Sequence, residues 1–90
     1  MKIYEVLWFE SYVKLGSVSE VKTSRIGIFK IKRDADEAGM AALKEKDHDI
    51  VASSHHYEQS PGGTCLIFRS EVGGYEEHRF QYRVDELELQ

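Results

Sequence analysis

The sequence predicts a single α+β domain over residues 1–90: a mostly antiparallel sheet of four to six strands with one α-helix, about residues 32–46, packed on one face. Three observations lead there. Runs rich in β-branched and aromatic residues alternate with turns containing Gly and Ser, and a single stretch carries a helical stripe. Hydrophobic residues make up 41% of the chain and there is one proline, too apolar and too regular a composition for disorder.

The segment KIYEVLWF (2–9) has no breaker and reads as a strand. Ile3, Leu7 and Phe9 share one parity with Glu5 among them, and Tyr4, Val6 and Trp8 share the other. Both faces are apolar, which predicts a central strand covered on both sides. Gly16 and Ser17 mark a turn, and a second extended run spans about Val18 to Phe29.

KIKRDADEAGMAALKEK contains the helix, because Ala35, Gly39, Ala42 and Leu43 fall on one stripe at i, i+4, i+7 and i+8. Asp34, Asp36 and Glu37 near its start, with Lys44 and Lys46 in its last turn, suit the helix dipole. Gly39 lowers helix propensity by about 1 kcal/mol relative to Ala, so close packing is the reason to expect it there. Ile31 stands where Ser or Asp is usual as an N-cap, and Asp34 is the candidate cap for a later start.

KDHD (46–49) reads as a polar exit loop, after which the chain is extended again from Ile50. Turns at SPGG (60–63) and VGG (72–74) bracket a strand TCLIFRS (64–70), and a last strand runs from about His78 to Leu89. In that strand Phe80, Tyr82 and Val84 have one parity, Leu87 and Leu89 the other, so a bulge near Asp85–Glu86 is expected.

Net charge is −4, and residues 46–90 hold nine acids against four bases, while residues 1–45 are nearly balanced. The one basic concentration, KIKR (30–33), is followed directly by Asp34, Asp36 and Glu37, which argues against nucleic acid as a partner. One cysteine provides no internal disulfide and points to a reducing, cytoplasmic setting. The N-terminal run carries Glu5 and no small-residue cleavage site, and no stretch is long enough to cross a bilayer, so neither targeting signal nor membrane association is expected.

His55, His56 and Cys65 are the fallback candidates for a metal site. A loop of Pro61, Gly62 and Gly63 puts His55 on the sheet face of Cys65; a loop of Pro61 and Gly62 alone puts His56 and Glu58 there instead. Either way the two histidines point apart, short of the three or four ligands that zinc takes, so no metal and no cofactor is expected. Cys65 lies mid-strand without a base beside it, and the carboxylates Glu76, Glu77, Asp85, Glu86 and Glu88 read as a solvated acidic face. With no convergent nucleophile, base and orienting group, no catalytic residues are expected.

One feature of the first strand needs an explanation. A single helix covers one face, yet both are apolar, with Tyr4, Trp8 and Tyr12 aligned along one of them. A loop or bend of the sheet, a homodimer or partner interface, and an aromatic ligand groove each answer it.

The starting strand MKIYEVLW, the passage from strand into helix IGIFKIKRDADEAGMAALK and the closing strand FQYRVDELELQ resemble a loose group of small uncharacterised α+β proteins of bacteria and their phages. The resemblance touches Gly27, Ile28, Phe29, Ala35 and about Phe80 to Leu89; the chain differs in lacking a Ser helix cap and in carrying a hairpin at roughly 50–75. It implies the fold class and a microbial or phage setting.

The function expected is non-enzymatic: a small regulatory or interaction protein that binds another protein, or a second copy of itself, through Tyr4, Trp8 and Tyr12 or through the acidic hairpin and C-terminal region. A phage-encoded inhibitor of a host protein fits that description. On this reading Trp8→Ala weakens association and leaves the fold largely intact. The alternative is a small metal- or ligand-binding protein using His55 or His56 with Cys65, or the Tyr4/Trp8 face.

Overall fold

A computed structural model describes residues 1–14, 17–49, 54–70 and 76–89. They form β1 (Lys2–Lys14), β2 (Ser17–Phe29), α1 (Lys32–Asp49), β3 (Ser54–Ser60), β4 (Gly63–Ser70) and β5 (Glu76–Glu88). The strands make one sheet in the order β2-β1-β5-β4-β3, with every neighbouring pair antiparallel, and α1 packs on one face. The expected extended residues Ile50 to Ser53 and the turn at 72–74 lie outside the described residues.

Two hairpins, β1–β2 and β3–β4, flank β5, which joins them by pairing with β1 and β4. Trp8 lies opposite Tyr82, Leu66 opposite Phe80, and both pairs point toward α1. The helix meets them with small residues. Ala35 and Leu43 are fully buried, and a Cβ added to Gly39 would come within 2.3 Å of the Tyr82 ring, so only glycine lets helix and sheet approach this closely. The core is completed by Val6, Phe68 and Phe80, with Phe68 edge-on to Phe80 at 5.6 Å between ring centroids. Full burial of side chains this size contributes about 1.5–3 kcal/mol each against the entropy of ordering them.

Three sequence expectations are corrected. The helix does not stop at Lys46 but continues to Asp49, because KDHD makes tertiary contacts as helix: Lys46 pairs with Glu10 at 3.7 Å, and Asp47 reaches His55 and Tyr57 on β3. The helix starts at Lys32, the Ile31 carbonyl accepting its first backbone bond from the Ala35 amide at 3.2 Å, so Asp34 lies inside the first turn and serves the dipole there instead of capping a later start. Finally, β5 pairs with β1 in unbroken register from Glu76 to Glu88, with no bulge at Asp85–Glu86. Leu87 has the parity opposite to Phe80 because it belongs to the other face, where it sits opposite Ile3.

The irregularities fall in the β1–β2 pair, between Val6 and Leu7 and between Tyr12 and Val13. Gly27 pairs with Val6 and Arg25 with Leu7, which leaves Ile26 as the extra residue, packed against the core. The bulge therefore gives β2 an apolar contact under the helix and still sends Arg25 and Ile28 to the opposite face.

Candidate functional site

The loop of the β3–β4 hairpin decides what surrounds Cys65. Ser60 pairs with Gly63, so the loop is Pro61 and Gly62 alone, with Gly62 at φ 79°. Pro61 presets its own φ and Gly62 supplies the positive one that the turn requires. Glu58 then faces Cys65 and His56 faces Ile67, on the side of the sheet away from α1, while His55 and Tyr57 lie on the helix side opposite Phe68 and Leu66.

The two histidines end in separate settings. His56 Nε2 is 3.0 Å from Glu58 Oε1, both side chains about half exposed. His55 Nδ1 faces Asp47 Oδ1 near the C-terminus of α1, and the Tyr57 hydroxyl donates to Asp47 Oδ2 at 2.8 Å. Desolvation, followed by that hydrogen bond and the Asp47 charge, raises the Tyr57 phenol above its ordinary 10.0. This cluster ties β3 to the helix end. Among the described residues, no group of three or more His, Cys, Asp or Glu side chains could hold a metal ion. Burial, against a lowering pull from Arg79, pushes the Cys65 thiol up, the opposite of what a nucleophile requires.

Trp8 lies beneath α1, 7% exposed, with its indole N–H donating to Glu10 Oε1 at 3.1 Å. The cover that the sequence left open for the Tyr4/Trp8 face is thus the helix itself. Tyr4 packs against the edge of the same core and donates to Glu86 at 3.3 Å. Tyr12 stands edge-on to His78, centroids 4.5 Å apart, where Glu10, Ser11, Lys22 and Phe80 complete an open hollow of about 170 Å³. That is smaller than the ~300 Å³ at which small-molecule pockets usually begin.

Among the described residues the other face of the sheet carries no helix, and apolar groups stand there among charged ones. Ile3, Leu7 and Phe9 of β1 are half-buried there, and Val21, Ile28 and Leu87 around them are 60%, 48% and 40% exposed. Toward β4 the same face closes on itself: Ile67, between His56 and Arg79, is 2% exposed. The open apolar area is therefore concentrated over β2, β1 and one end of β5.

Charges frame this patch in matched pairs. Arg83 grips Asp85 through Nε at 2.8 Å and Nη2 at 3.0 Å, and its guanidinium lies 5.2 Å from the centre of the Phe9 ring. Arg25 reaches Glu5 at 3.5 Å, and Arg79 reaches Glu77 at 3.3 Å. Among the described side chains this face holds Arg25, Arg79 and Arg83 against Glu5, Glu58, Glu77 and Asp85, close to balance in a chain of net charge −4.

Sequence reasoning had isolated Ile3, Leu7 and Phe9 as one parity of the first strand but passed over them. The signal that could have selected them is the small-residue stripe of the helix: Ala and Gly make room for rings, so the helix seats on the parity that carries Trp8 and Tyr82 and leaves the aliphatic parity bare. Comparison with protein-family models, with curated proteins and with solved structures returned no match.

Proposed function

We propose that the chain is a non-catalytic interaction module that binds another protein through the helix-free face of its sheet. The observation that carries this reading is the group of apolar residues Ile3, Leu7, Phe9, Val21, Ile28 and Leu87, left without a covering element among the described residues, while the helix packs on the opposite face. Several large apolar side chains clustered at the surface of a small domain suit an association site. A centre of half-buried aliphatic and aromatic groups rimmed by paired charges is also how protein interfaces are built. The proposed site therefore lies on the other parity of β1, at Ile3, Leu7 and Phe9 in place of Tyr4, Trp8 and Tyr12.

Affinity capture with the wild-type chain and with Leu7→Glu tests this reading. The expected result is a stoichiometric protein partner, either a second copy or a different chain, retained by the wild type and lost by Leu7→Glu while the variant keeps its far-ultraviolet circular dichroism. A partner held equally by both proteins, or no partner at all, overturns it.

A further inference from the structure

The charge pattern of the helix-free face says more than that something docks there, and the following rests on the docking reading above. Across the strands, the face is organised in rows set by the register. One row holds Glu5, Asp85 and Ile28; the next holds Leu7, Arg83 and Arg25; the third Phe9, Gln81 and Thr23; and the fourth Ser11, Arg79 and Val21.

We propose that the occupant is a second copy of this chain, packed sheet to sheet about a two-fold axis that lies in the interface and runs across the strands between the second and third rows. Such an axis reverses the strand direction while keeping each strand over its own counterpart, and it sets the first row against the fourth and the second against the third. Asp85 then faces the partner's Arg79, Leu7 the partner's Phe9, and Ile28 the partner's Val21. Arg83 and Arg25 face the partner's Gln81 and the partner's Thr23, which can accept hydrogen bonds. Within these four rows no like charges meet and Leu7, Phe9, Ile28 and Val21 meet apolar groups; one row farther out, Leu87 faces the partner's Glu77.

The alternative two-fold, running along the strands between β1 and β5, is excluded by the same rows. It would set Glu5 against the partner's Asp85 and Leu7 against the partner's Arg83, opposing two carboxylates and burying an arginine on leucine. A two-fold contact is self-complementary, so each matched pair occurs twice. Two twisted sheets packing this way keep their strands within about 30° of one another, which preserves the row-to-row facing near the axis.

Size and net charge agree. Strands at about 4.8 Å spacing and 3.3 Å per residue give the full length of β2, β1 and β5 roughly 600 Å², at the lower end of the ~600–1,000 Å² per partner of a standard stable interface. The near balance of charge on this face lets two acidic chains approach there without the repulsion that their other surfaces impose.

Sedimentation equilibrium of the untagged chain over a wide concentration range tests the proposal. The expected wild-type species is a dimer, and Leu7→Glu is expected to be a monomer. Asp85→Arg and Arg79→Asp should each weaken the dimer about tenfold or more. The double variant Asp85→Arg/Arg79→Asp should bind more tightly than either single variant, because the exchanged charges meet again across the axis, and less tightly than the wild type, because Arg83 and Glu77 lose their in-chain partners. A wild type that stays monomeric, a dimer indifferent to Leu7→Glu, or a double variant no tighter than the single ones overturns the proposal. A monomeric wild type that still captures a different protein, and loses it on Leu7→Glu, removes self-association and leaves the docking face standing; a monomer that captures nothing removes both.

Discussion

Trp8 and Phe9 are adjacent in one strand and have opposite surroundings. Trp8 is buried among Val6, Phe80 and the small residues of the helix, stacked on Phe80 at 6.1 Å between ring centroids. Phe9 stands on the bare side, half-buried, under a guanidinium that is itself held by Asp85. The comparison extends to the whole sheet. One face meets a helix whose side chains have been reduced to Ala and Gly so that large rings fit, and the other keeps aliphatic groups and paired charges with no partner within the described residues. Similar apolar character in a strand is thus buried under the helix on one side and left at the surface on the other.

Truncating the two neighbours is the sharpest way to break this contrast. Trp8→Ala should cost about 3–5 kcal/mol, since it empties the centre of the core, while Phe9→Ala should cost about 1 kcal/mol or less in the monomer. Urea unfolding at low protein concentration measures both, and equal losses would mean that the two faces do not differ in role. The burial of Trp8 overturns the sequence expectation that Trp8→Ala leaves the fold largely intact; on the proposed reading the substitution that spares the fold and weakens association is Phe9→Ala.

A smaller effect is expected at the closest approach of helix and sheet. Gly39→Ala improves helix propensity by about 1 kcal/mol but drives a methyl group into the Tyr82 ring, and an overpacking cost of about 1–3 kcal/mol should outweigh that gain. Thermal melting of Gly39→Ala against Ala41→Gly, at an exposed position of the same helix, separates the two terms. A more stable Gly39→Ala protein would show that α1 lies farther from the sheet than described.

The smallest effect is in titration. Burial raises the Cys65 thiol above its ordinary 9.0, so the folded chain holds this proton more tightly than the unfolded one. The stability contributed is present in full below pH 9 and declines as pH rises through the folded value; the raised Tyr57 phenol adds a decline of the same sign above pH 10. Alkylation of Cys65 in the native protein should accordingly be slow at pH 8 and speed up on unfolding. Native and unfolded chains reacting at the same rate would show that the thiol is not sheltered by β3 and β5.

Much of this architecture was legible in the residues. The first strand, the start of the helix, the inward Ala35–Gly39–Ala42–Leu43 stripe and the final strand follow from local period and composition, and Gly39 was read as a packing glycine before its neighbour Tyr82 was known. The site was not. Tyr4, Trp8 and Tyr12 drew attention as aromatic residues in line, whereas the open surface belongs to Ile3, Leu7 and Phe9, whose parity includes the charge of Glu5 and so looked the more ordinary.

What the sequence determined by itself is what local chemistry controls: which residues share a face, where one helix is affordable, and where Gly and Pro turn the chain. Tertiary structure alone decided which face the helix covers, that Pro61 and Gly62 close the hairpin and set His56 and Glu58 on the side of Cys65, that Ile26 bulges inward, and that α1 continues to Asp49. The physical reason is that alternation along a strand is symmetric between its two sides. Only the fit of a small-residue helix against large rings, together with the long-range contacts of Lys46 and Asp47, breaks that symmetry, and those partners are far apart in the chain.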